Sequence, residues 1–98
     1  MSTSVSVSEI NDASTDPPVR GFLHLPNDQN GEGIVLTHGA GSNSRSKLLT
    51  ALADAFALTG FRVLRCDLPF RQHRSQGPPF AGNAATDRAG LRQAVRLL

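Results

Sequence analysis

His38, Gly39, Ala40 and Gly41 follow directly on the apolar run Gly33–Thr37 and precede a helical pattern. A strand entering such a glycine-bearing turn presents main-chain N–H groups to an anion. That anion is a nucleotide phosphate, a dinucleotide pyrophosphate or the oxyanion of an acyl transfer. The phosphate-cradling pattern G-x-x-x-x-G-K-[ST], set on Gly41, brings Lys47 into register. It fails at Ser46, which replaces the second glycine, and at Leu48, which replaces the metal-binding hydroxyl. The dinucleotide pattern G-x-G-x-x-G finds Gly39, Ala40 and Gly41 but meets Ser44 at its third glycine. Asp67, at the end of the next strand, stands close to where a ribose-binding acid belongs. Against this reading, a strand already precedes the turn, and His38 occupies its first position. The third pattern, H-G-x-G after a buried strand, is one form of oxyanion-hole loop. His38-Gly39-Ala40-Gly41 fits it.

An oxyanion hole serves a nucleophile, and the sequence does not supply one in recognisable form. A serine on a strand–helix elbow lies within G-x-S-x-G. Ser75 comes nearest, but His73 replaces the first glycine and no strand precedes it. A general base needs a nucleophile within hydrogen-bond reach. We therefore read His38 as bracing the loop by hydrogen bonds to its backbone. His24 alternates with strand leucines and reads as a surface or sheet-face residue; His73 reads as solvated. The three histidines and Cys66 have no metal-ligand spacing, so neither a metal nor a cofactor is expected. Cys66 reads as a small core residue in an apolar strand. Asp67 reads more simply as a cap of the turn before Pro69 than as a ligand contact. Arg65, Arg71 and Arg74 bracket a long loop and could attract an acidic substrate, though exposed arginines are common.

These residues need elements to hold them. "VRGFLHLP", residues 19–26, reads as a strand with Leu23 and Leu25 on one side and Phe22 and His24 on the other. "GIVLT", residues 33–37, is a continuous apolar run, as for a strand covered on both faces. From Ser46 to Thr59 the period is helical, with Leu48, Leu49, Leu52, Ala53, Phe56 and Ala57 in one stripe. Gly60 ends it, and "FRVLRC", residues 61–66, is the next strand. Strand, helix and strand make a βαβ unit with a parallel pairing. A loop over residues 68–82 leads to a last helix from Ala84 to Leu98. Leu91, Ala94, Val95 and Leu98 form its apolar stripe, and Arg88, Arg92 and Arg96 form a solvated row. The helical pattern carries no stop signal at Leu98, and a further strand is expected next.

A chain of 98 residues makes at most one small domain. Residues 1–18 are rich in serine, threonine and acids, which predicts a disordered polar tail. Residues 1–32 hold five acids and only Arg20, whereas residues 33–98 hold nine bases and three acids. The bases are dispersed, and tyrosine and tryptophan are absent, so nucleic-acid binding is not expected. No secretory signal, transit peptide or membrane-crossing run is visible, and the cytoplasm is the default expectation.

With H-G-A-G after one strand and Arg65-Cys66-Asp67-Leu68-Pro69-Phe70 ending another, residues 19–98 resemble the first half of an α/β-hydrolase-fold protein. The nearest branch is that of small dienelactone-hydrolase-like predicted hydrolases. The resemblance implies an α/β fold: one strand, a βαβ unit and a helix, ending before the nucleophile strand. It implies hydrolysis of an ester, thioester or similar acyl bond by a longer parent. Ala40 or Gly41 would donate a main-chain N–H to the oxyanion, with His38 and Gly39 shaping the loop. The triad serine, acid and histidine are missing from the resemblance. By itself the chain is expected to be inactive, its partner being a small acyl substrate of the parent. Two other readings stay open: a partial dinucleotide-binding module, and a non-catalytic interaction protein on the same fold.

Overall fold

The computed structural model describes residues 4–39, 41–77 and 82–98. Its elements are β1 (Val5–Asp12), β2 (Val19–Pro26), β3 (Gly33–Leu36), α1 (Lys47–Leu58), β4 (Arg62–Cys66), α2 (Pro69–His73) and α3 (Asn83–Leu97). The four strands form one mixed sheet in the order β1-β2-β4-β3. β3 and β4 are parallel, and β2 runs antiparallel to both β1 and β4. The small α/β architecture and its parallel β3–β4 pair are those expected.

Alternation along β4 sends its side chains to two different helices. Leu64 and Cys66 join Val19 and Ala94 of α3 in one apolar cluster. Val63 joins Ala53 and Ala57 of α1 in the other. The sheet is therefore covered on both faces, α1 on one and α3 on the other. Gly21 lies opposite Cys66 in the β2–β4 pairing. A Cβ there would come within 2.7 Å of the Cys66 Cα and closer still to the Arg65 carbonyl, so only glycine fits.

Helix α1 starts where its cap says it should. The Ser46 hydroxyl accepts from the Leu49 N–H at 3.1 Å, satisfying one of the first-turn donors. It stops at Gly60, whose φ of +105° suits glycine and turns the chain into β4. Leu49, Ala53 and Ala57 are buried, but Leu48, Leu52 and Phe56 lie toward solvent. The expected stripe is thus wider than the face this sheet covers. In α3 the same correction applies to Val95, which is exposed while Ala94 is buried.

Three further expectations change. The tail contains strand β1, paired with β2 from Val5↔Pro26 to Asp12↔Val19. Backbone pairing is indifferent to serine content, and Val5 and Ile10 reach the two core clusters from opposite faces. Within the expected loop, Pro69 opens the short helix α2; a missing N–H costs nothing at a first helical position. Finally, β3, read as a strand covered on both faces, is only half-buried; it pairs with β4 on one side and stands at the end of the strand order. Among the described residues, no helix is long and apolar enough to cross a membrane.

Candidate functional site

The turn of interest leaves β3 at Thr37, whose hydroxyl donates to the Cys66 carbonyl at 3.1 Å and ties the two parallel strand ends together. His38 follows, almost fully buried. The Leu68 N–H donates to its Nε2 at 3.0 Å, so the ring proton sits on Nδ1 and is directed at the Gly39 carbonyl, 2.8 Å away. Both ring nitrogens are thereby engaged by main chain, and Phe70 packs edge-on against the ring. The ring spans from the turn to the segment after β4 and leaves no nitrogen to act as a base. The Gly39 carbonyl also accepts from the Ser42 N–H at 3.1 Å. Ala40 lies outside the described residues. A Cβ added at Gly39 or Gly41 would meet nothing within 4 Å, so this turn borders open space. Gly39 does not have a positive φ, and left-handed backbone is not what glycine contributes there.

Asp67 has a different role from the turn cap expected of it. It is nearly buried at the end of β4, and its Oδ1 accepts from the Ser44 N–H at 2.8 Å. Its Oδ2 accepts from the Arg20 Nε at 3.3 Å. Both oxygens therefore serve to hold the loop after β3 onto β2 and β4. Ser44 is fully buried with its hydroxyl unpartnered among the described residues. Cys66, next to Asp67 in the chain, is a buried thiol, pushed up to about 11 by burial and then by the neighbouring Asp67 charge. It is therefore an inert core group at neutral pH.

Arg65 departs most from expectation, and His24, read as a surface or sheet-face residue, takes the second of those places. His24 is fully buried beneath α1, and Arg65, expected to bracket the long loop, is buried beside it with its donors turned to His24 and Ser44. The Arg65 Nε donates to the His24 Nε2 at 2.8 Å, and its Nη1 donates to the Ser44 carbonyl at 2.7 Å. The His24 Nδ1 faces Asp54 Oδ1 at 3.0 Å. A carboxylate–imidazole pair of this kind can activate a hydroxyl when the far nitrogen reaches one. Here that nitrogen is occupied by a guanidinium, so the pair is held as structure. Burial, followed by the Arg65 charge, keeps the His24 pKa below its ordinary 6.5 despite the opposing pull of Asp54. The imidazole is neutral.

Arg71 is buried and donates to the carbonyls of Arg74 and Gly77 at 2.8 and 2.7 Å. Ser75 and His73 are exposed, at and beyond the end of α2, and neither sits on the turn between a strand and a helix. Two open cavities, of about 300 and 230 Å³, share Arg20, Arg45 and Asp67 in their walls. Ser75 lines the smaller one, and neither is lined by His38, Gly39 or Gly41.

Sequence reasoning missed the His24–Arg65–Asp54 group because its members lie 41 and 30 residues apart. A signal was available in Arg65, a charge set between the apolar Leu64 and Cys66.

No protein-family model matches the sequence, and no curated protein matches it. Among solved structures, the PEG-bound complex of a novel cold-adapted esterase from an Arctic intertidal metagenomic library matches with a TM-score of 0.53 at 14% identity. The match covers 92% of this chain and 38% of that one. At this identity the likeness concerns the fold. The chain spans well under half the length of the structure it resembles.

Proposed function

We propose that this chain furnishes the oxyanion-binding turn of an α/β-hydrolase-type enzyme that cleaves esters, thioesters or similar acyl bonds. The observation that carries the reading is the fold match to part of an esterase, combined with H-G-A-G placed directly after β3. The open space bordering Gly39 and Gly41 supports it, since an oxyanion must reach main-chain N–H groups. In this reading Ala40 or Gly41 donates to the tetrahedral oxyanion, and His38 braces the turn through Leu68 and Gly39. The reading requires an attacking serine, a histidine and an acid in addition to this turn. The small-molecule acyl substrate binds where those groups meet the turn.

Two measurements test this. The 98-residue chain alone should show no serine-dependent hydrolysis of a simple ester. In a longer protein that carries this chain and a G-x-S-x-G elbow, Ala40→Pro should lower kcat about 10²- to 10³-fold with a smaller change in KM. His38→Ala should cost less. Full turnover in a folded Ala40→Pro variant would remove Ala40 from the site. Stabilisation by a dinucleotide in a thermal-shift titration would instead support the nucleotide-binding reading, although both Asp67 oxygens are already engaged.

A further inference from the structure

Between the sheet and α1, four groups form one continuous polar chain: the Asp54 carboxylate, the His24 imidazole, the Arg65 guanidinium and the Ser44 carbonyl. Hydrogen-bond arithmetic fixes its protonation. A guanidinium has only donors, so the Arg65 Nε–H requires a lone pair on the His24 Nε2. The single imidazole proton is then on Nδ1, where it meets Asp54 Oδ1. Every partner is satisfied only while His24 is neutral.

We propose that His24 is a proton-operated latch on residues 41–46, the loop joining the His38–Gly39 turn to α1. A proton added to His24 can go only to Nε2. It would then face the Arg65 Nε–H across 2.8 Å, donor against donor and cation against cation. The guanidinium is one rigid plane, so the Nε contact cannot be lost without disturbing the Nη1 bond to Ser44. The loop would then depend on its other anchor, the Ser44 N–H on Asp67.

The surrounding charges determine how readily this happens. Asp54 from α1 favours the proton, and Arg65 from β4 opposes it. Arg45 on the loop stacks on Phe22, as Arg65 does, and pairs with Glu9 of β1 at 3.7 Å. Asp67, after β4, holds the far side of Ser44. The residue of β1 opposite His24 is Val7, and β3 contributes Ile34 and Leu36, none of which titrates. The latch stands on the hydrogen bonds alone and does not depend on the hydrolase reading.

The test is a pH titration of the ¹⁵N-labelled chain by NMR, following the His24 ring, the Arg65 Nε–H and the Ser44 and Arg45 amides. At neutral pH the ring should be the Nδ1–H tautomer. On acidification all four probes should move together, with one midpoint below 6.5. His24→Gln keeps an oxygen to accept from Arg65 and cannot gain a proton, so the loop amides should lose this transition. An acid-induced transition that arises elsewhere in the chain would, in contrast, survive that change. Asp54→Asn alters a half-exposed residue and should move the midpoint lower still, because the charge favouring the imidazolium is gone. An Nε2–H tautomer would overturn the proposal. So would a loop transition unchanged in His24→Gln, or a midpoint unmoved in Asp54→Asn. Should His24→Gln fail to fold, the tautomer and the Asp54→Asn shift decide the matter between them.

Discussion

The two faces of the sheet are stabilised by different physics, and β4 displays both in five residues. Toward α3 it presents Leu64 and Cys66 to Val19 and Ala94, an apolar contact that depends on area and shape. Toward α1 it presents Val63 and Arg65, and Arg65 is held by His24 and Ser44. A buried polar group is tolerable only with its partners in place, so the α1 face is the more demanding geometrically. The comparison separates two tasks. The α3 face supplies cohesion, and the α1 face fixes where the loop after β3 lies.

The largest effect should come from the apolar face. Leu64 is fully buried between the sheet and α3. Leu64→Ala should cost about 2–5 kcal/mol in a urea titration, through lost burial and the cavity left behind. That loss should depend little on pH, because the buried members of the cluster are apolar apart from the thiol of Cys66. A cost as small as that of a surface change would show that this face is not the cohesive one.

Next comes the polar face. Arg65→Leu would leave the His24 Nε2 and the Ser44 carbonyl without their donor, at about 1–3 kcal/mol for an unsatisfied buried group. Adding His24→Leu removes one orphan, so the double variant should cost less than the sum of its parts. A coupling of about 0.5–3 kcal/mol in the double-mutant cycle would mark the pair as one unit. Strict additivity would mean that Arg65 and His24 act independently.

The third effect separates the faces by pH. His24 has a folded pKa below 6.5, so the unfolded chain binds the proton more readily. Its contribution is fully present above about pH 6.5 and is lost as pH falls toward the folded value, by at most about 1.4 kcal/mol per pH unit. Urea midpoints from pH 7.5 down to 5 should therefore fall more steeply in the native chain than in His24→Gln. Equal slopes would exclude His24 as the source.

How much of this was readable beforehand follows the same division. Local signals worked: Ser46 and Gly60 bound α1, and alternation in residues 19–26 gave β2 and its two faces. The polar face was hidden, because His24, Asp54 and Arg65 come together only after β2, α1 and β4 have been assembled. β1 was hidden for another reason. Its serines mask the alternation of Val5 and Val7 with Ser6 and Ser8, and its stability derives largely from pairing with β2. At the turn itself, the motif could be found in the sequence, while the engagement of both His38 nitrogens required Leu68 to be brought alongside.

The smallest effect should be at Ser44, where the two kinds of interaction meet in one residue. Its backbone does all of the anchoring, with the N–H on Asp67 and the carbonyl receiving Arg65. Its hydroxyl is buried and has no partner among the described residues. Ser44→Ala keeps both backbone bonds and removes an unsatisfied polar atom whose burial is unfavourable. Stability should therefore stay within about 0.5 kcal/mol of the native chain or rise slightly, the ordinary range for a change that breaks no interaction. The pH dependence assigned to His24 should survive intact, because the latch acts on the Ser44 carbonyl. A loss above about 1 kcal/mol in urea would mean that the hydroxyl has a hydrogen-bond partner, such as a buried water, that helps hold the loop. Ser44 would then contribute to the polar network through its side chain as well as its backbone.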